Sequence, residues 1–204
     1  MPVLILDPWY AEQIRTRRRT ESPNARDEVW DGVLVMPPLP NIEHQIMVTD
    51  LALAFASVID RATGDLALAG ANVSDREKDW ENNYREPDVL VVLHTNPAKN
   101  RGTHWVGGPD LAVEIVSPGE DPRQKLDFYA KVKTREVLVI DRDPWAVELY
   151  RLRRGKMALV GKSDVANPAT LASAALPLTF RLRPAKPRPA VVVAHADDKR
   201  AWTV

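Results

Sequence analysis

Residues 111–116 read Leu-Ala-Val-Glu-Ile-Val, a continuous apolar run interrupted by a single carboxylate, Glu114. A run this short and this apolar marks a strand buried on both faces. Strand alternation then sets Leu111, Val113 and Ile115 on one face and Ala112, Glu114 and Val116 on the other. An unpaired carboxylate in such a strand carries a large desolvation cost, so Glu114 needs a cation or a metal beside it. Any fold adopted by this chain has to supply that partner.

Two further runs have the same character, Val89–Leu93 directly after Pro87-Asp88, and Val137–Ile140. Asp31-Gly32, flanked by Val29-Trp30 and Val33–Met36, predicts a tight hairpin. From Asn41, a capping residue, Ile42, Ile46, Met47, Leu51, Ala54, Phe55, Val58 and Ile59 recur at helical spacing, predicting a helix to about Ala62 that Gly64 stops. Leu66–Val73 predicts a strand, Asp121–Lys133 a second helix, and Trp145–Tyr150 with Met157–Val160 a hairpin around Arg154-Gly155. Strict βαβ alternation is missing, so the pattern favours an α+β domain in which helices flank a mixed central sheet. Residues 28–183 form that domain in this reading. Residues 1–27 form a peripheral N-terminal arm with a turn at Ser22-Pro23-Asn24, and residues 184–204, rich in proline at first, a loosely held tail.

Charge and composition exclude several functions. Lys plus Arg and Asp plus Glu are both 28, so the chain lacks the basic surplus of a passive DNA-coating protein. The arginines at 15, 17, 18 and 19 can be read as a solvated helix face or as a DNA contact. Cysteine is absent, which removes thiolate chemistry and disulfides and fits a cytoplasmic protein. No apolar run reaches the roughly 18 residues of a membrane span. His44, His94, His104 and His195 have no zinc-ligand spacing, and the phosphate-loop, dinucleotide and serine-hydrolase motifs are missing.

The chemistry then rests on Asp88 and Glu114. Carboxylates from two neighbouring strands make an oxygen-only site suited to Mg²⁺. The plainer alternative is a Glu114 paired with Lys or Arg and an Asp88 that caps a turn. Several stretches lie in an order that resembles the Uma family of restriction endonucleases, within the PD-(D/E)XK nuclease superfamily. They are Asp31-Gly32, Glu43-His44-Gln45, Glu86-Pro87-Asp88-Val89, Gly108–Pro118, Asp121 with Lys125, Tyr129, and Ile140-Asp141, spread over residues 28 to 182.

The resemblance implies a restriction-endonuclease-like fold and metal-dependent cleavage of DNA. Asp88, Glu114 and the carbonyl of Ile115 would hold Mg²⁺ or Mn²⁺. The superfamily's lysine two residues after the glutamate is replaced by Val116, and Lys125 fits a lysine that has moved to the following helix, where Asp121 and Tyr129 share its face. Glu43 matches an acidic residue often found at the start of the long helix. Cutting both strands implies a homodimer. The alternative is a catalytically silent module of the same fold that binds nucleic acid or a protein partner.

Overall fold

The computed structural model describes residues 2–21, 26–197 and 199–204, without the side chains of Arg19 and Thr20. The turn expected at Ser22-Pro23-Asn24 lies outside the described residues.

Along the chain come β1 (Val3–Ile5), α1 (Pro8–Glu21), β2 (Glu28–Trp30), β3 (Val33–Met36) and α2 (Ile42–Ala56). They are followed by β4 (Leu66–Leu68), β5 (Val73–Ser74), β6 (Tyr84–Arg85), β7 (Val89–Val92), β8 (Lys99–Asn100), β9 (Trp105–Val106) and β10 (Leu111–Ile115). Then come α3 (Leu126–Lys131), β11 (Glu136–Arg142), β12 (Trp145–Arg153), β13 (Lys156–Asp164), β14 (Leu171–Ala172), β15 (Leu178–Arg183), β16 (Ala190–His195) and β17 (Ala201–Thr203).

The three apolar runs form the middle of a sheet ordered β13-β12-β11-β10-β7-β4. β10 and β11 run parallel, and the other ladders of this sheet are antiparallel. Two parallel neighbours need a crossover, and the segment containing α3 supplies it. One face of the sheet carries Val89, Val91, Leu111, Val113 and Ile115 against Met47, Leu51 and Phe55 of α2. The other face carries Ala112, Val137 and Val139 against Phe128, Tyr129 and Val132. Glu114 shares the second face, as alternation requires.

Local chemistry sets the ends of the elements. Asn41 accepts from the His44 amide and caps α2, while Ser57 closes it, earlier than the expected end near Ala62. Asp31 and Gly32 both have positive φ, at 47° and 90°, which a two-residue hairpin of this twist requires. The expected strand at 66–73 divides into β4 and β5, which join different sheets. The helix expected from Asp121 opens as a 3₁₀ segment, Pro122–Lys125, and only then becomes α3.

The tail corrects the expectation from sequence. β16 pairs along β15 and β17 pairs along β16, within a sheet ordered β14-β15-β16-β17. Val191 and Val193 are fully buried, and with Val204 they join the core beneath α2. The prolines at 184, 187 and 189 mark the turn into a docked strand rather than a loose end. The arm is likewise tied in, since β1 pairs with β3.

Candidate active site

β7 and β10 pair antiparallel with Val89 opposite Val113, so Asp88 and Glu114 follow as the next pair, at the end of the ladder. The Asp88 amide donates to the Val113 carbonyl at 2.9 Å, and the Ile115 amide donates to Asp88 Oδ2 at 2.7 Å. The aspartate therefore completes the ladder with its own side chain, which fixes its rotamer. Its other oxygen, Oδ1, accepts from Arg26 Nη1 at 2.9 Å and lies 3.2 Å from His44 Nε2. Arg26 also reaches Glu86 at 3.3 Å.

Glu114 finds its partners on the segment that crosses between β10 and β11. Lys125 Nζ donates to Glu114 Oε2 at 2.9 Å and to Glu28 Oε1 at 2.9 Å. Tyr129 donates its hydroxyl to Glu114 Oε1. Glu28 is anchored in turn by the Glu86 amide at 2.8 Å and the Trp30 indole N–H at 2.7 Å. Two buried carboxylates thus share one ammonium. Burial, with Glu28 and Asp88 nearby, pushes the Glu114 carboxyl up to about 8 against the pull of Lys125 and Tyr129. Burial alone would lower Lys125, but Glu114 and Glu28 outweigh it and hold its pKa above the ordinary value. Asp88 is buried too, yet His44 and the Ile115 amide hold its carboxyl below the usual range.

These groups open onto a cavity of about 430 Å³, lined by Asp88, Glu114, Ile115, Glu28, Lys125 and His44 together with Arg26, Glu86, Glu120 and Asp121. Carboxylates outnumber cations around it. Among the described residues no three His, Cys, Asp or Glu side chains are already grouped as a ready metal cluster. The two carboxylates at the end of the β7–β10 ladder, Asp88 and Glu114, both line the cavity and offer only oxygen. Such a set fits a hard divalent cation that keeps part of its water shell.

The other site residues expected from sequence divide. Lys125 stands beside Glu114, so the ammonium missing at Val116 is supplied from the crossover. Glu43 stands apart from this cavity and pairs with Arg142 at 3.2 Å and Arg188 at 2.9 Å. Arg142 donates twice to the Val116 carbonyl, so Glu43 helps brace the strand end beyond Glu114 and ties the tail to it. Asp121 caps the 3₁₀ turn and pairs with Arg123 rather than steadying Lys125. A 3₁₀ turn has three residues per turn, so the spacing of four from Asp121 to Lys125 does not align them.

Sequence reading missed Glu28 and Arg26. Glu28 had a usable signal, a carboxylate opening the strand that leads into the Asp31-Gly32 turn. Arg26 had none. His44, next to Glu43, is the helix residue that faces Asp88, and among the described residues its Nδ1 has no hydrogen-bond partner.

Comparison with known proteins adds two findings. The family model Uma2, described as "Putative restriction endonuclease", matches residues 11–185. A solved structure, that of a putative nuclease belonging to DUF820 from Anabaena variabilis ATCC 29413, superposes with a TM-score of 0.53 at 19% identity, covering 65% of this chain and 75% of that one. Among curated proteins nothing matches. The structural likeness extends to the fold, a restriction-endonuclease-like mixed sheet flanked by helices.

Proposed function

The chain belongs to the Uma2 family of restriction-endonuclease-like proteins, and from that premise we propose that it is a metal-dependent nuclease that hydrolyses phosphodiester bonds in DNA. One observation carries the reading: Asp88 and Glu114 meet at the end of the β7–β10 ladder, and the ammonium bonded to Glu114 is that of Lys125. Asp88, Glu114 and the Ile115 carbonyl are the groups that would hold Mg²⁺ or Mn²⁺. A divalent ion bound there supplies the charge that polarises a phosphate and activates water.

The protein's own side chains do the rest. Tyr129 and Lys125 together fix both oxygens of Glu114, so its orientation is set before any substrate arrives. Lys125, held between Glu28 and Glu114, is a preorganised donor for an oxygen on which negative charge builds. Arg26 and His44 hold Asp88 in register, and Arg26 offsets its charge. A homodimer of such chains would bring two sites to the two strands of a duplex.

The test is a cleavage assay on supercoiled, linear and single-stranded DNA, with RNA alongside, in Mg²⁺ and in Mn²⁺. The expected result is metal-dependent cleavage of DNA that a chelator stops and Asp88→Asn abolishes. If the parent chain cuts none of these substrates, the silent binding module becomes the better reading.

A further inference from the structure

The cavity has a second wall whose chemistry the hydrolytic reading does not use. Besides its charged groups the cavity is lined by Trp30, Val35, Pro37, Pro38, Leu39 and Pro40. Three of these six are prolines, which have no backbone N–H to offer, so this wall is poor in hydrogen-bond donors. Leu39 is 91% exposed, a large apolar side chain left in water between two prolines that stiffen its backbone. Surface leucines are common singly, but this one stands at the mouth of the same cavity that holds the acidic site.

Trp30 is the aromatic member of this wall. Its indole N–H is tied to Glu28 at 2.7 Å, so the ring is held in one orientation by the carboxylate that also holds Lys125. The Arg85 guanidinium lies 4.6 Å from the centre of the Trp30 ring and 4.3 Å from that of Phe128. Phe128, Arg85 and Trp30 therefore form a column of flat groups, and its last member lines the cavity. A volume of about 430 Å³ lies at the small end of ligand pockets and suits one nucleotide rather than a length of duplex.

We propose that the Trp30–proline wall is a nucleobase subsite, which takes one unpaired base onto the Trp30 column while its phosphate faces Asp88 and Glu114. The substrate of this site is then a nucleic-acid strand with an unstacked nucleotide, either single-stranded or flipped from a duplex. The place of the phosphate rests on the nuclease reading given above, whereas the place of the base does not. A flat, donor-poor wall suits the face of a base and would leave the hydroxyls of a sugar or the amides of a peptide without partners.

The test compares binding by fluorescence anisotropy of labelled thymidine oligomers, abasic oligomers of the same length and a duplex, all in Ca²⁺. Stacking predicts that the parent binds the thymidine oligomer roughly tenfold more tightly than the abasic one, and more tightly than the duplex. Trp30→Leu should erase most of that preference, while Trp30→Phe, which keeps a ring, should retain most of it. Equal affinity for thymidine and abasic oligomers in the parent overturns the proposal, whether or not Trp30→Leu folds. So does a preference that survives in a folded Trp30→Leu chain. A parent that prefers bases but cuts no nucleic acid supports the subsite and removes the nuclease reading. A parent that cuts DNA without any preference for bases does the reverse.

Discussion

Glu114 and Glu136 sit on neighbouring strands of the same sheet, β10 and β11, and are 4% and 1% exposed. They lie toward opposite ends of one parallel ladder, where Glu114 pairs in register with Val139 and Glu136 with Leu111. Their surroundings differ in the number and kind of donors. Glu136 accepts from Arg151 at 2.7 Å, from the Ser173 hydroxyl, and from the amides of Ala174 and Ala175 at 3.0 and 3.2 Å. Those donors bind the segment leading into β15 against the central sheet. Glu114 has one ammonium, shared with Glu28, and one phenol, and it opens onto a cavity. A buried carboxylate surrounded by fixed donors is a fastener. One left short of positive charge beside a cavity is a place for a cation.

The largest effect that separates the two is on folding. Glu136→Ala removes the charged acceptor on which Arg151, the Ser173 hydroxyl and two backbone amides converge, and should cost about 3–5 kcal/mol of stability. Glu114→Ala relieves a carboxylate crowd and should cost clearly less. Denaturant titration of both variants checks this, and a Glu114→Ala chain as unstable as Glu136→Ala would make Glu114 a fastener too.

A second difference belongs to catalysis. Lys125→Met keeps the stem and removes the charge, and loss of a preorganised donor of this kind typically lowers rate by about 10²–10³. Single-turnover cleavage and metal titration together decide it. Rate should fall while metal binding is not weakened, because the charge that leaves is one that competes with the ion. A Lys125→Met chain that cuts as fast as the parent would reduce Lys125 to a structural ion pair.

The smallest of the three effects is the dependence on pH. Glu114 has its carboxyl raised to about 8 in the folded chain from an ordinary 4.5. Between those values the folded chain holds a proton that the unfolded chain has released, so this residue's contribution to stability falls as pH rises through that window. Metal must displace the same proton, so affinity for Mn²⁺ should climb by up to tenfold per pH unit and level off above pH 8 or so. Calorimetry across pH 6–9 measures this slope, and Glu114→Gln should flatten it.

Much of this was legible in the sequence, because the decisive signals are local. An apolar strand with one glutamate, a Pro-Asp entering a second apolar strand and an Asp-Gly hairpin all act within a few residues of themselves. Lys125 was reached through the family resemblance, and its distance to Glu114 follows from the crossover. What escaped depends on long-range docking. Val191 and Val193 look like a short apolar run after prolines, and only the docking of β16 between β15 and β17 gives them a ladder and a core to enter. Arg26 reaches Asp88 across 62 residues of sequence, which no spacing encodes. Glu43 and His44 are neighbours on α2, and which of them faces the site depends on how that helix is rotated against β7.

The most direct test of the account is a calorimetric titration with Mn²⁺ of the parent chain, Glu114→Gln and Glu136→Gln, each shown to be folded. The parent and Glu136→Gln should bind the ion alike, and Glu114→Gln should bind at least tenfold more weakly. Equal binding by Glu114→Gln and the parent, or no binding by the parent, would contradict the assignment of the metal site to Asp88 and Glu114.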